Sequence, residues 1–193
     1  MIFMSASNDL NEIYASSFRD NWTLPAITNY GTGKTYLYSD LSYEIAKIHM
    51  TYELAGITPG DKVALIGKNS PGWIMVFIAT ITYGATIVPI LQEFNPTDAQ
   101  HIVNHSGSVM LFVENNIWET FEFEKMPRLR GVISLTDGKI LAEHPLNDGR
   151  MQKQLKNINR NITKTRCIYF IQVVGSTHKN HVILTKLQYF VLT

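Results

Sequence analysis

The sequence predicts an α/β fold with a mostly parallel sheet flanked by helices, and three observations carry that prediction. Val63–Ile66, Ala85–Ile90 and Val109–Val113 are short apolar runs, unbroken rather than alternating, as in strands covered on both faces. Pro71 to Tyr83, and the polar segment leading to Val109, are long enough for the helical crossovers that parallel strands require. The junctions carry their own punctuation. Asn69 or Ser70 can accept a hydrogen bond from free helix amides, Pro71 suits a first helical position, and Gly84 suits the left-handed residue that ends a helix.

The remaining elements follow from the same kind of reading. Leu10, Ile13, Tyr14 and Phe18 recur at helical spacing within a lead segment, residues 1–21. Ala26–Tyr30 and Thr35–Tyr38 flank Gly31-Thr-Gly-Lys34 and read as a hairpin. Ser39 or Asp40 then caps a helix with Leu41, Ile45, Ile48 and Tyr52 on one face, stopped near Gly56. Residues 114–128 alternate acidic and aromatic side chains and define no element. Gly131–Leu135 reads as a strand, residues 136–165 as a polar loop with a helical piece, and Arg166–Val174 as a final apolar strand.

A membrane span is the rival reading of the central stretch, because Trp73 to Leu91 carries no charge over nineteen positions. Gly84, Pro89, the polar Thr80, Thr82, Tyr83 and Thr86, and the lack of a flanking Lys/Arg cluster favour a buried helix followed by a buried strand. Composition agrees, with 45% hydrophobic and 17% charged residues. A net charge of +1 gives no electrostatic case for nucleic acid or an anionic membrane as partner. One cysteine, Cys167, cannot form an internal disulfide, and Met1-Ile-Phe-Met4 lacks the basic start of a signal peptide. A cytoplasmic location is the expectation.

Three constellations invite a chemical role and are better explained otherwise. Gly31-Thr-Gly-Lys-Thr35 matches the tail of a Walker A loop, but Thr28 stands where that motif needs its first glycine, and Tyr36-Leu-Tyr38 continues as a strand instead of a helix. His101 and His105 are four apart, yet no glutamate completes an HExxH pattern and no third ligand follows. Glu119, Glu122 and Glu124 alternate with Trp118, Phe121 and Phe123, which suits a surface segment over buried aromatics.

Two longer stretches carry a resemblance. Gly60-Asp-Lys-Val-Ala-Leu-Ile-Gly-Lys-Asn-Ser-Pro-Gly-Trp73, followed by Tyr83-Gly-Ala-Thr-Ile-Val-Pro89, resembles the N-terminal part of the adenylate-forming (AMP-binding) enzymes, and among them long-chain fatty-acid–CoA ligases. Gly33-Lys-Thr-Tyr-Leu-Tyr-Ser-Asp-Leu41 is similar to that family's hairpin and first helix. Asn95 to Ser106 and Val109 to Val113 are similar to its next helix and strand. The likeness runs from about Trp22 to Leu135. It implies one partial domain over residues 1–193, an incomplete N-terminal portion of the family's large domain. In that division, 22–135 is the scaffold, 136–165 a linker-like region and 166–193 a strand with a phosphate loop.

The resemblance also implies a reaction. The family joins a carboxylate to AMP with release of pyrophosphate, then passes the acyl group to coenzyme A. ATP, Mg²⁺, CoA and a fatty acid are therefore the implied cofactors and substrates. The family's phosphate loop has the form Thr-Ser-Gly-(Ser/Thr)-Thr-Gly-x-Pro-Lys-Gly-Val, in which glycine amides, hydroxyls and a lysine face the phosphates. Here Gly175, Ser176 and Thr177 fit the pattern, Lys179 is the candidate cation, and Val182-Ile-Leu-Thr185 fits the sequel. Val173 and Val174 replace Thr-Ser, His178 replaces a glycine, and the Pro-Lys-Gly core is missing. No catalytic or metal-binding residue is assigned, because the family's later motifs have no counterpart in the 193 residues.

The expectation is an N-terminal fragment of a long-chain fatty-acid–CoA ligase, inactive on its own. The alternatives are a non-catalytic binding module on the same scaffold, or an ATPase using Gly31 to Thr35. An incomplete sheet also leaves an edge through which copies can associate.

Overall fold

Helix α1 (Leu10–Asp20) precedes a hairpin of β1 (Pro25–Thr28) and β2 (Thr35–Leu37), and α2 (Tyr38–Leu54) leads into the main sheet. There follow β3 (Lys62–Ile66), α3 (Pro71–Tyr83), β4 (Thr86–Ile90), α4 (Pro96–Ser106) and β5 (Met110–Val113). A short α5 (Asn115–Trp118), one 3₁₀ turn (Phe123–Lys125), β6 (Gly131–Ser134) and β7 (Ile140–Glu143) complete the order. The structure is a computed structural model, and it describes residues 10–144 together with Gly149, Met151, Lys153 and Gln154.

The sheet runs β4-β3-β5-β6-β7. The first four strands in that order are parallel, with Val63 opposite Ile87 on one side and Met110 on the other, and Met110 opposite Gly131. Strand β7 returns antiparallel to β6. The α/β class and the β-α-β-α-β alternation therefore stand as predicted.

Unbroken apolar strands reflect burial on both sides. Val63 and Leu65 pack with Tyr52, Val76 and Tyr83 on the α2–α3 face. Ala64 and Ile66 point the other way, toward Ala99 and Val103 of α4. A smaller cluster joins Ala15 and Phe18 of α1 to Leu41, Ile45, Met75 and Ala79.

Both crossover helices start and stop by the same local devices. Ser70 Oγ accepts from the Trp73 amide at 3.2 Å, and Asn95 Oδ1 accepts from the Asp98 amide at 2.9 Å. A proline follows each cap, and Gly84 (φ 82°) and Gly107 (φ 72°) close the helices in the left-handed region. At 13 residues α3 is shorter than a span, and no helix among the described residues is long and apolar enough to cross a membrane.

Several expectations are corrected. Strand β4 is an edge strand among the described residues, with Thr86 and Pro89 exposed, and is not the buried strand its apolar run indicates. The Thr86 amide donates inward to Asp61 O at 2.8 Å, and donors alternate along a strand, so the nitrogen of Pro89 falls in the outward-facing row. On α1, Leu10 and Ile13 are exposed, and it is Tyr14, Ala15 and Phe18 that pack inward. Asp40 is not the cap of α2: Leu37 holds that position, and Asp40 reaches back from the third helical residue to accept from the Leu37 amide at 2.8 Å. Part of the expected polar loop 136–165 is strand β7, paired to β6 across the tight turn at Gly138. Arg166–Val174, the expected final strand, lies outside the described residues.

Candidate functional site

Parallel strands aim their carboxyl ends at one edge of the sheet, and ligands of such sheets gather there. At this edge a cleft of about 290 Å³ opens between the ends of β3 and β4. The turn Gly67-Lys-Asn69 and Trp73 form one wall, and Pro89 to Glu93 form the other. The Trp73 ring stacks on Phe77 one helical turn along α3, with centroids 5.3 Å apart. The cleft carries an ammonium at Lys68 and a carboxylate at Glu93, which hydrogen bonding from Gln92 pushes below its ordinary pKa.

The neighbouring gap, between the ends of β3 and β5, is closed. Glu114 follows β5 directly, and its Oε1 accepts from the Lys68 amide at 2.7 Å. Sequence reasoning passed over Glu114, since a single acidic residue after a strand carries no motif. Gly67, in the turn after β3, marks the same place: a Cβ there would stand 2.7 Å from Leu135 Cδ1 and 3.0 Å from Glu114 Cγ.

A second polar cluster lies inside the α2–α3 interface. His49 Nε2–H donates to the Ala79 carbonyl at 2.8 Å and lies 3.1 Å from Thr82 Oγ1. Thr80 Oγ1 gives its hydrogen to Val76 O, so Tyr52 is the donor in the 2.7 Å contact between their hydroxyls. Tyr83 donates to Ile57 O at 3.0 Å. Burial lowers the His49 pKa to about 4, the Ala79 bond opposing it, and burial pushes both tyrosine hydroxyls upward. A neutral imidazole locked between two helices holds the scaffold together and presents no reactive edge.

The three constellations set aside on sequence grounds behave accordingly. Gly31 to Lys34 form the tip of the β1–β2 hairpin: Lys34 O accepts from the Asn29 amide, Asn29 O from the Gly33 amide, and Asn29 Oδ1 from the Thr32 amide. Those donors are used within the turn, and Lys34 lies over the Tyr36 ring at 4.4 Å. His101 and His105 stack on the exposed side of α4, with centroids 5.8 Å apart. Glu119, Glu122 and Glu124 are exposed, and Trp118, Phe121 and Phe123 pack against the α4-side core. Among the described residues no group of three or more His, Cys, Asp or Glu could hold a metal ion. Gly175, Ser176, Thr177 and Lys179 of the expected phosphate loop lie outside the described residues.

A capped β-α-β-α-β unit with this strand order joins the sequence pattern to a family. The family model described as AMP-binding enzyme matches residues 16–178, and the chain belongs to that family. It is 32% identical over 95 residues to the fatty acid–[acyl-carrier-protein] ligase ScoC of Streptomyces coeruleorubidus, covering 49% of this chain and 18% of that protein. It is 30% identical over 131 residues to the crotonobetaine/carnitine–CoA ligase of Escherichia fergusonii, covering 66% of this chain and 24% of that one. The chain thus spans less than a quarter of either relative's length. In fold it is similar to the luciferase-like enzyme of the mealworm Zophobas morio, with a TM-score of 0.61 at 16% identity over 80% of this chain and 35% of that one.

Proposed function

We propose that the chain is an N-terminal scaffold portion of an ATP-dependent long-chain fatty-acid–CoA ligase. The observation that carries this reading is the extent of the family match. It runs through β3, α3, β4 and β5 and on to residue 178, and so includes Gly175, Ser176 and Thr177. Relatives described as fatty acid and CoA ligases support an acyl carboxylate as the substrate class.

In that reaction a carboxylate oxygen attacks the α-phosphorus of ATP, and pyrophosphate leaves with the electrons of the broken P–O bond. The CoA sulfur then attacks the acyl carbon and AMP leaves. The first step needs donors aimed at the phosphates where charge builds up. Gly175, Ser176, Thr177 and Lys179 are the residues proposed to face ATP. With Val173 and Val174 in place of hydroxyl-bearing residues and His178 in place of a glycine, the loop offers fewer donors and a less close approach. The proposal therefore includes that residues 1–193 do not turn over alone.

The departures in that loop also support a second reading, a non-catalytic binding module on the same scaffold. One experiment separates the two. Residues 1–193 are incubated with ATP, a long-chain fatty acid and CoA, and pyrophosphate release is followed; none above the blank is expected. ATP binding is then measured before and after residues 173–180 are rebuilt to the family's loop pattern. Saturable binding gained on rebuilding supports the ligase scaffold. Release by the unaltered chain overturns its inactivity, and no binding after rebuilding leaves the module reading.

A further inference from the structure

From β3 the chain leaves in two directions. Helix α3 carries it outward to β4, and α4 brings it back across the other face to β5. In open parallel sheets this reversal creates a crevice beyond the carboxyl ends of the two central strands, the usual place for a ligand. Loop amides ahead of α3 face that crevice, and such amides favour an anion.

Here the crevice is filled from within. The Glu114 carboxylate turns back from the end of β5 onto the Lys68 amide, 2.7 Å away. The end of β6 closes in beside it, for a Cβ on Gly72 would stand 2.7 Å from the Leu135 carbonyl oxygen, and one on Gly67 would meet both Leu135 and Glu114. Leu135 is held there by its amide, which donates to Val113 O at 2.9 Å. The space that stays open lies one strand outward, between β3 and β4.

We infer that Glu114 is a built-in occupant of the β3–β5 crevice, standing where a phosphate or carboxylate ligand would sit and turning anionic ligands away from this end of the sheet. It satisfies the Lys68 amide, fills the volume beside Gly67, and places a negative charge where a second anion would have to enter. The inference is independent of the ligase reading, which assigns ATP to residues 175–179.

Inorganic phosphate is the probe. The ¹⁵N-labelled chain is titrated with phosphate against chloride at equal ionic strength, and the amides of Gly67, Lys68, Asn69 and Gly72 are followed. The wild-type chain is expected to show no saturable, phosphate-specific shift at these amides. In Glu114→Ala the freed Lys68 amide is expected to respond saturably and phosphate-specifically, because phosphate can then take the charge-assisted hydrogen bond that Glu114 holds in the wild type. A saturable response in the wild type overturns the inference, and so does a folded Glu114→Ala that ignores phosphate. Should that variant fail to fold, the wild-type titration decides by itself.

Discussion

His49 and Ala79 lie thirty positions apart in sequence, and the imidazole Nε2–H of one donates to the carbonyl of the other at 2.8 Å. Ala79 sits inside α3, where its carbonyl accepts this bond in addition to what the helix itself supplies. The contact fixes the rotation of α3 against α2, and with it the direction in which the loop before α3 meets the sheet. The interface is sealed by the Tyr52 and Tyr83 rings, packed edge to face with centroids 5.2 Å apart.

Acid should loosen this interface. The His49 pKa lies at about 4 in the folded chain against an ordinary 6.5, because burial disfavours the charged ring. The unfolded chain therefore takes up a proton that the folded chain refuses. The contribution of His49 is fully present above about pH 6.5 and declines as pH falls toward 4, by up to about 3 kcal/mol. Urea midpoints measured from pH 7 to 4 should fall over that window. In His49→Gln, which keeps an N–H donor without the titration, the fall should be smaller.

Gly72 should not accept a side chain. It lies in the first turn of α3, and its added Cβ would stand 2.7 Å from the backbone oxygen of Leu135, which the β5–β6 ladder holds in place. Gly72→Ala is expected to cost about 1–3 kcal/mol by forcing α3 away from the end of β6, despite the better helix propensity of alanine. Thermal melts of this variant and of Gly33→Ala would compare a packed glycine with one that has nothing within 4 Å. Gly33 has φ 68°, so its substitution still carries backbone strain, and the test is whether Gly72→Ala costs more.

The two caps should act separately. Ser70 and Asn95 each accept one amide hydrogen at the start of a different helix, on opposite faces of the sheet. Ser70→Ala and Asn95→Ala are each expected to cost about 1 kcal/mol, with the double variant near their sum. Denaturant titrations check both values, and a coupling above about 0.5 kcal/mol would contradict independent capping.

Nucleotide binding should ignore the hairpin tip. Lys34 lies over Tyr36, and the turn's amides are spent on Asn29 and Lys34 carbonyls and on the Asn29 side chain. Lys34→Ala is expected to leave any ATP affinity unchanged in equilibrium binding. Where the loop is rebuilt to bind ATP, removing its lysine should weaken binding severalfold, since one charge contact to phosphate is lost. A loss in Lys34→Ala would revive the ATPase reading.

What the sequence made legible was local. Ser70, Pro71 and Gly84 announce helix ends by side-chain and backbone chemistry that acts within four residues, so the helix between β3 and β4 could be read directly. Strand order is set by contacts far along the chain. Nothing in Thr86-Ile-Val-Pro-Ile90 declares an edge except Pro89, whose meaning becomes clear only once its neighbour on one side is known. Strand β7 was hidden for the opposite reason: Ile140–Glu143 is half-buried, short and set among polar residues, and it pairs because β6 offers it a border. Glu114 shows the same limit at the site. Its role arises from a residue 46 positions earlier and from Gly67, whose missing side chain permits the approach.

Pro89 gives the sheet a direction of growth. A newcomer strand laid beside β4 would find the outward row of donors broken in the middle, and the ring would stand in the path of its backbone. Strand-by-strand stacking of copies, the route by which exposed sheets seed fibrils, is therefore blunted at this border. A strand from another copy is therefore disfavoured beside β4.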